Sequence, residues 1–223
     1  MEPQRIAGQS EAYFASLMQE VLGQDAAEQL SAIRRIRIIF GEQYAAHQVQ
    51  LFPIHFHAML VSGPEEEAAL TDMLRPDLPE EALSALLDAL DRSPEAADKL
   101  TASPALYERL ELVCREAGLE ESCLRFFHRR RQGRSGIFGR FLCQRYLSAI
   151  NRGVFPDELL AEAEEFALEH LQNLRDPAAV MCVYLIETRR GRLPFRAFAL
   201  CCLQQQLSIE EDPDIENWLQ DET

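Results

Sequence analysis

The sequence contains one lysine, one tryptophan and no apolar run approaching the length of a membrane span. A spanning helix needs about 20 consecutive apolar residues, so the chain does not read as an integral membrane protein. The opening stretch, residues 1–9, lacks the basic start and apolar core of a secretory signal. That points to the cytosol, or to export by a route without a readable signal. No two of the six cysteines form a C-x-x-C pair, and Cys114, Cys123, Cys143, Cys182, Cys201 and Cys202 all sit among apolar neighbours. They read as buried free thiols, because a chain this long and regular has no need of a disulfide frame.

Catalytic signatures are missing too. The sequence has no G-x-S-x-G and no H-E-x-x-H. Its glycines match neither a phosphate-binding loop nor a dinucleotide fingerprint. An enzyme is left only if its residues converge in three dimensions, and no cofactor is implied.

Acid is plentiful. The net charge is -15, and residues 1–100 hold 17 acidic against 7 basic side chains. Residues 207–223 hold 7 acids and no base. Between Glu121 and Asp157 the balance inverts: Arg125, Arg129, Arg130, Arg131, Arg134, Arg140, Arg145 and Arg152 appear with no acid among them. On charge alone the chain divides into an acidic region (1–100), an Arg-rich region (101–207) and an acidic tail (208–223). A second hint of a boundary is the stretch 92–104, which is short of large apolar residues.

Helical periodicity predicts an all-α fold of roughly ten short helices, arranged as an irregular bundle or as a stack of helical hairpins. Leu83, Leu86, Leu87 and Leu90 make one apolar face, and Leu106, Leu110 and Val113 another. Seven of the eleven prolines stand just before such a run, where the missing N–H costs nothing. Ser93, Ser103 and Asp176 precede three of them as N-caps. An internal echo, Tyr146, Leu147, Arg152, Gly153 and Pro156 repeated as Tyr184, Leu185, Arg190, Gly191 and Pro194, favours the hairpin stack. The one strand-like stretch is Gln48 to Val61, interrupted by Pro53.

Three segments stand out as candidate sites. The first is the arginine segment, with Phe126, Phe127, Phe138, Phe141 and Tyr146 interleaved and a glycine-rich middle that reads as an exposed loop from Arg131 to Arg140. Arginine with aromatics suits an acidic protein partner through bidentate carboxylate pairing, or single-stranded nucleic acid through phosphates and stacked bases. It also suits a solvated helix pair neutralised by nearby acids such as Glu162, Glu164 and Glu165. The second is the tail, where Ile215, Trp218 and Leu219 would share one face of a short helix among acids. Such a tail could dock on a partner or mask the arginines. The third is His55-Phe56-His57, which on a strand would aim both imidazoles to one side; H-x-H alone is unspecific, and the histidines read as structural.

The preferred expectation is a cytoplasmic, non-enzymatic interaction protein: an adaptor, chaperone or regulatory subunit. Its composition is like that of helical partners of bacterial secretion or signalling machines. Arg125, Arg129, Arg130, Arg131, Arg134, Arg140, Arg145 and Phe138 would contact a partner protein, with Ile215, Trp218 and Leu219 assisting. A nucleic-acid-binding regulator is the alternative, disfavoured by the net charge. A metal-dependent or other hydrolase using His55 and His57 comes last.

Overall fold

The computed structural model describes residues 2–62, 67–133, 136–174 and 177–192. Among these residues the chain is all-α, with twelve helices and no strand. They are α1 (Glu2–Val21), α2 (Ala26–Ile39), α3 (Gly41–Ala46), α4 (Gln48–Ser62), α5 (Glu67–Met73) and α6 (Glu80–Arg92). After these come α7 (Pro94–Ala102), α8 (Pro104–Glu116), α9 (Glu120–Arg129), α10 (Ile137–Asn151), α11 (Leu160–Leu174) and α12 (Pro177–Arg189). A single 3-10 turn, Asp157–Leu159, leads into α11.

The helix starts follow local chemistry. Asp25 accepts a hydrogen bond from the Glu28 N–H at 2.9 Å and caps α2. Ser93 and Ser103 cap α7 and α8 by accepting from the N–H groups of Ala96 and Leu106. Pro94 and Pro104 follow them at the first helical position, where no donor is lost. Pro79 instead occupies the N-cap of α6. Asp176, Pro64 and Pro194 lie outside the described residues.

Two compact units emerge, and the division falls inside α9, between Phe126 and Phe127. The junction near residues 92–104 is therefore interior to the first unit, where α6, α7 and α8 pack on one another. The first unit is built on α4, which meets α2, α6 and α7. One core joins Leu17 and Val21 of α1 to Ile33 and Ile36 of α2, with Phe40 and Leu51. The leucine face of α6 and the Leu106–Leu110–Val113 face of α8 are buried as the periodicity predicts.

Gln48 to Val61 is helix, not strand. It resembled a strand because α4 is buried on most sides, so its apolar residues form a continuous run with no helical stripe. Pro53 removes one hydrogen bond, the one its N–H would give to the carbonyl of Val49 at the exposed start of the helix.

In the second unit, α10, α11 and α12 pack pairwise around Cys143, Tyr146, Phe166 and Cys182. The 38-residue echo survives as punctuation. After Gly153 the N–H of Val154 donates to the carbonyl of Ala149, and after Gly191 the N–H of Arg192 donates to that of Glu187, at 3.0 and 2.9 Å. Both glycines have positive φ, the left-handed residue that closes a helix this way. The echo does not extend to packing: Tyr146 is fully buried, while Tyr184 is exposed.

Candidate functional site

Among the described residues, the arginine segment spans the end of α9 and the whole of α10. Its helices hold more of it than the glycines suggested. Ile137 to Arg140 form the first turn of α10, so the last four residues of the expected loop are helix. Gly139 is buried within the helix, where a Cβ would stand 2.6 Å from His170 Nδ1. That glycine lets α11 approach; it does not serve a turn.

The interleaved aromatics are core. Phe127 meets Phe141 edge-on with centroids 5.2 Å apart, and Phe138 lies 6.0 Å from Phe127. Tyr146 contacts Phe155 and Phe166. Phe138 is only 5% exposed, which removes it from the expected partner surface. The Phe/Tyr set recurs at helical spacing because it faces inward, the bland explanation for such a stripe. With the rings buried, base stacking has no platform here.

The arginines differ in exposure. Arg125 is bound to Glu121 one turn earlier at 2.7 Å, and Arg131 to Glu162 of α11. Arg145 lies over the Phe141 ring at 5.6 Å from its centroid. By exposure, Arg125, Arg130, Arg131 and Arg145 are half-buried, while Arg129, Arg140 and Arg152 are exposed. Arg134, Ile215, Trp218 and Leu219 lie outside the described residues.

Around α10 the exposed residues form a stripe. Ile137, Arg140 and Gln144 are all exposed at i, i+3 and i+7, one face of a helix. The helix contains no acid from end to end. Ile137 is 69% exposed, a large apolar side chain beside a guanidinium in a chain of net charge -15.

Beneath that surface lies a polar network that sequence reading missed. His128 is buried, its Nδ1 2.7 Å from the Tyr146 hydroxyl and its Nε2 3.2 Å from a Glu162 carboxylate oxygen. Burial, reinforced by Arg131, lowers the His128 pKa. The ring is then neutral; because the carboxylate can only accept, the proton sits on Nε2 and Tyr146 donates to Nδ1. Glu162 is held below the usual carboxylate range by the His128 hydrogen bond and the Arg131 charge. Burial pushes the Tyr146 hydroxyl well up, so it stays protonated. The network ties α9, α10 and α11 together, and Tyr146 has no solvent-facing surface on which to work chemically.

Of the acids near the segment, Glu162 and Glu164 are paired within the protein. Glu164, named with Glu162 and Glu165 as a neutraliser, is buried and pairs with Arg190 and Arg192, just past the end of α12. Arg189 beside them pairs with Asp157 at 2.8 Å and donates to the Phe155 carbonyl.

His55 and His57 do not form a shared site. In α4, positions i and i+2 lie about 200° apart around the axis, opposite to their arrangement on a strand. His55 is buried, with its Nδ1 in a 3.1 Å hydrogen bond to the Tyr44 hydroxyl, while His57 is half-buried elsewhere. Among the described residues no group of three or more His, Cys, Asp or Glu side chains converges on a metal position. Cys114, Cys123, Cys143 and Cys182 are free and buried. Burial raises the thiols of Cys123 and Cys182 well above their ordinary value, away from the reactive thiolate.

A second concavity lies in the first unit. A cleft of about 740 Å³ opens between α2, α3, α4 and α5, with Arg34, Arg37 and Arg75 on its walls and Tyr44 and His55 beside them. The sequence signal for it was the run Arg34-Arg35-Ile36-Arg37, three of the seven bases in residues 1–100 within four positions. No known protein family, curated protein or solved structure matches the chain. Among the described residues no helix is long and apolar enough to cross a membrane.

Proposed function

We propose that the protein is a non-enzymatic, cytoplasmic interaction module, an adaptor, chaperone or regulatory subunit, that docks an acidic segment of a partner protein. The docking surface is the acid-free solvent face of α10 with the end of α9: Arg129, Ile137, Arg140 and Gln144, with Arg152 at the far end. One observation carries the reading, the exposed Ile137 and Arg140 side by side on a helix without a single carboxylate in a strongly acidic chain. An apolar anchor beside a cation suits a partner that offers apolar and acidic side chains together, and arginine adds bidentate geometry. The net negative charge disfavours acidic molecules over most of the chain, so a local cationic face gives orientation as well as affinity.

Nucleic acid is the weaker reading, since the stacking rings are buried and the overall field repels phosphate. The test is capture of partners by tagged wild-type protein and by the Arg129→Glu/Arg140→Glu variant, each with and without nuclease. The proposal expects a nuclease-resistant protein that is lost with the charge reversal. A capture that persists in the variant, or vanishes with nuclease, contradicts it.

A further inference from the structure

We propose that the cleft of the first unit binds a small organic anion, its acidic head held by Arg37 and Arg75 and its apolar body seated on Phe52, Met59 and Leu78. The site is separate from the α10 surface and stands or falls independently of it.

The cleft is of ligand size. Its volume of about 740 Å³ falls within the ~300–1,000 Å³ typical of small-molecule pockets. Its walls invert the charge of their surroundings. Residues 1–100 hold 17 acids and 7 bases, yet three of those bases and a single acid, Asp72, line this cavity. Phe52, Met59 and Leu78, each almost wholly buried, supply an apolar floor.

The cations are placed to receive a ligand. The Arg37 guanidinium lies 5.6 Å from the centre of the Tyr44 ring, and among the described residues no carboxylate pairs with it. Arg75 meets Asp77 at 3.3 Å in a pair exposed on both sides, which water already weakens and a ligand oxyanion can replace. The positive fields of Arg37 and Arg75 both reach Tyr44, and those of Arg37 and Arg34 reach His55. Tyr44 and His55 are both neutral, and their rings stand perpendicular with centroids 6.1 Å apart. A planar carboxylate or a tetrahedral phosphate or sulfonate fits a guanidinium by the same paired N–H donors. Asp72 on the rim opposes a second negative charge, which favours a head of low charge.

The probe for the test is anilinonaphthalene sulfonate, an anionic head on an aromatic body, titrated by fluorescence against the full chain at low salt. Octanoate and octyl phosphate as competitors separate carboxylate from phosphate preference, and octanol tests the need for charge. The expected result is saturable binding weakened about tenfold or more by Arg37→Ala and by Arg75→Ala. Arg92→Ala, which removes the same charge from the last turn of α6 outside the cleft, should leave it unchanged. A second measurement locates the probe directly through methionine methyl resonances. Met59 and Met73 line the cleft, whereas Met18 and Met181 do not. Shifts at Met59 and Met73 support the proposal. Equal affinity in wild type and the Arg37 variant, octanol competing as well as octanoate, or shifts confined to other methionines would overturn it.

Discussion

Gly139 of α10 and His170 of α11 occupy one another's space: a Cβ built on Gly139 would lie 2.6 Å from the imidazole Nδ1 and 2.8 Å from Cε1. His170 is buried and stacks on Phe166 one turn earlier, with ring planes 11° apart. The ring has no exposed end that could swing away, so an added methyl must move the helix or unstack the histidine.

Gly139→Ala should therefore destabilise the second unit, although alanine favours a helix by about 1 kcal/mol over glycine. Overpacking of this kind costs about 1–3 kcal/mol, so a net loss is expected in urea unfolding. The double variant Gly139→Ala/His170→Ala should lose less than the sum of the two single changes, because the clash is then absent.

The Tyr146–His128 hydrogen bond makes a separable claim. Tyr146→Phe keeps the ring contacts with Phe155 and Phe166 but leaves Nδ1 of a buried histidine without its donor, at a cost of about 1–2 kcal/mol. Glu162 is half-exposed, and Glu162→Gln should cost distinctly less, since water can substitute at that end. Denaturant midpoints of the two variants, compared at constant m, check the order.

Acid should weaken the first unit through His55. Burial, then the charges of Arg37 and Arg34, lower its pKa to about 4. The unfolded chain takes up a proton near pH 6.5 and the folded chain does not. Stability from this histidine is therefore complete above pH 6.5 and is lost as pH falls from there to about 4, by roughly 3 kcal/mol. His57, in the same unit, is shifted in the same direction and adds to the trend. In His55→Gln the loss of melting temperature over that interval should be smaller than in wild type; an identical slope would mean that His55 titrates normally.

Much of the helical skeleton was legible because its signals are local. Ser93-Pro94 and Ser103-Pro104 mark two helix starts, Gly153 and Gly191 two stops, and the leucines of α6 one buried face. What was not legible depended on tertiary context. A helix buried on most sides, such as α4, shows no stripe, so His55 and His57 looked co-facial. The Phe and Tyr side chains of the arginine segment carry the same letters whether they face a partner or a core, and only packing shows that they face inward. His128, Tyr146 and Glu162 are brought together from three helices, the first and the last 34 positions apart. No spacing rule could have joined them. The Arg34–Arg37 cluster was visible as sequence, but Arg75 reaches the same cleft only through the turn after α5.

The central claim is that the acid-free face of α10 contacts a protein partner. A photoreactive phenylalanine analogue placed at Ile137, with the same analogue at exposed Asp88 of α6 as control, tests it most directly when both are irradiated in the source cell. The account predicts one dominant protein cross-link from position 137, to an acidic segment, reduced by Arg140→Glu in the same chain and absent from position 88. Cross-links that are the same from both positions, or that run to nucleic acid, would contradict it.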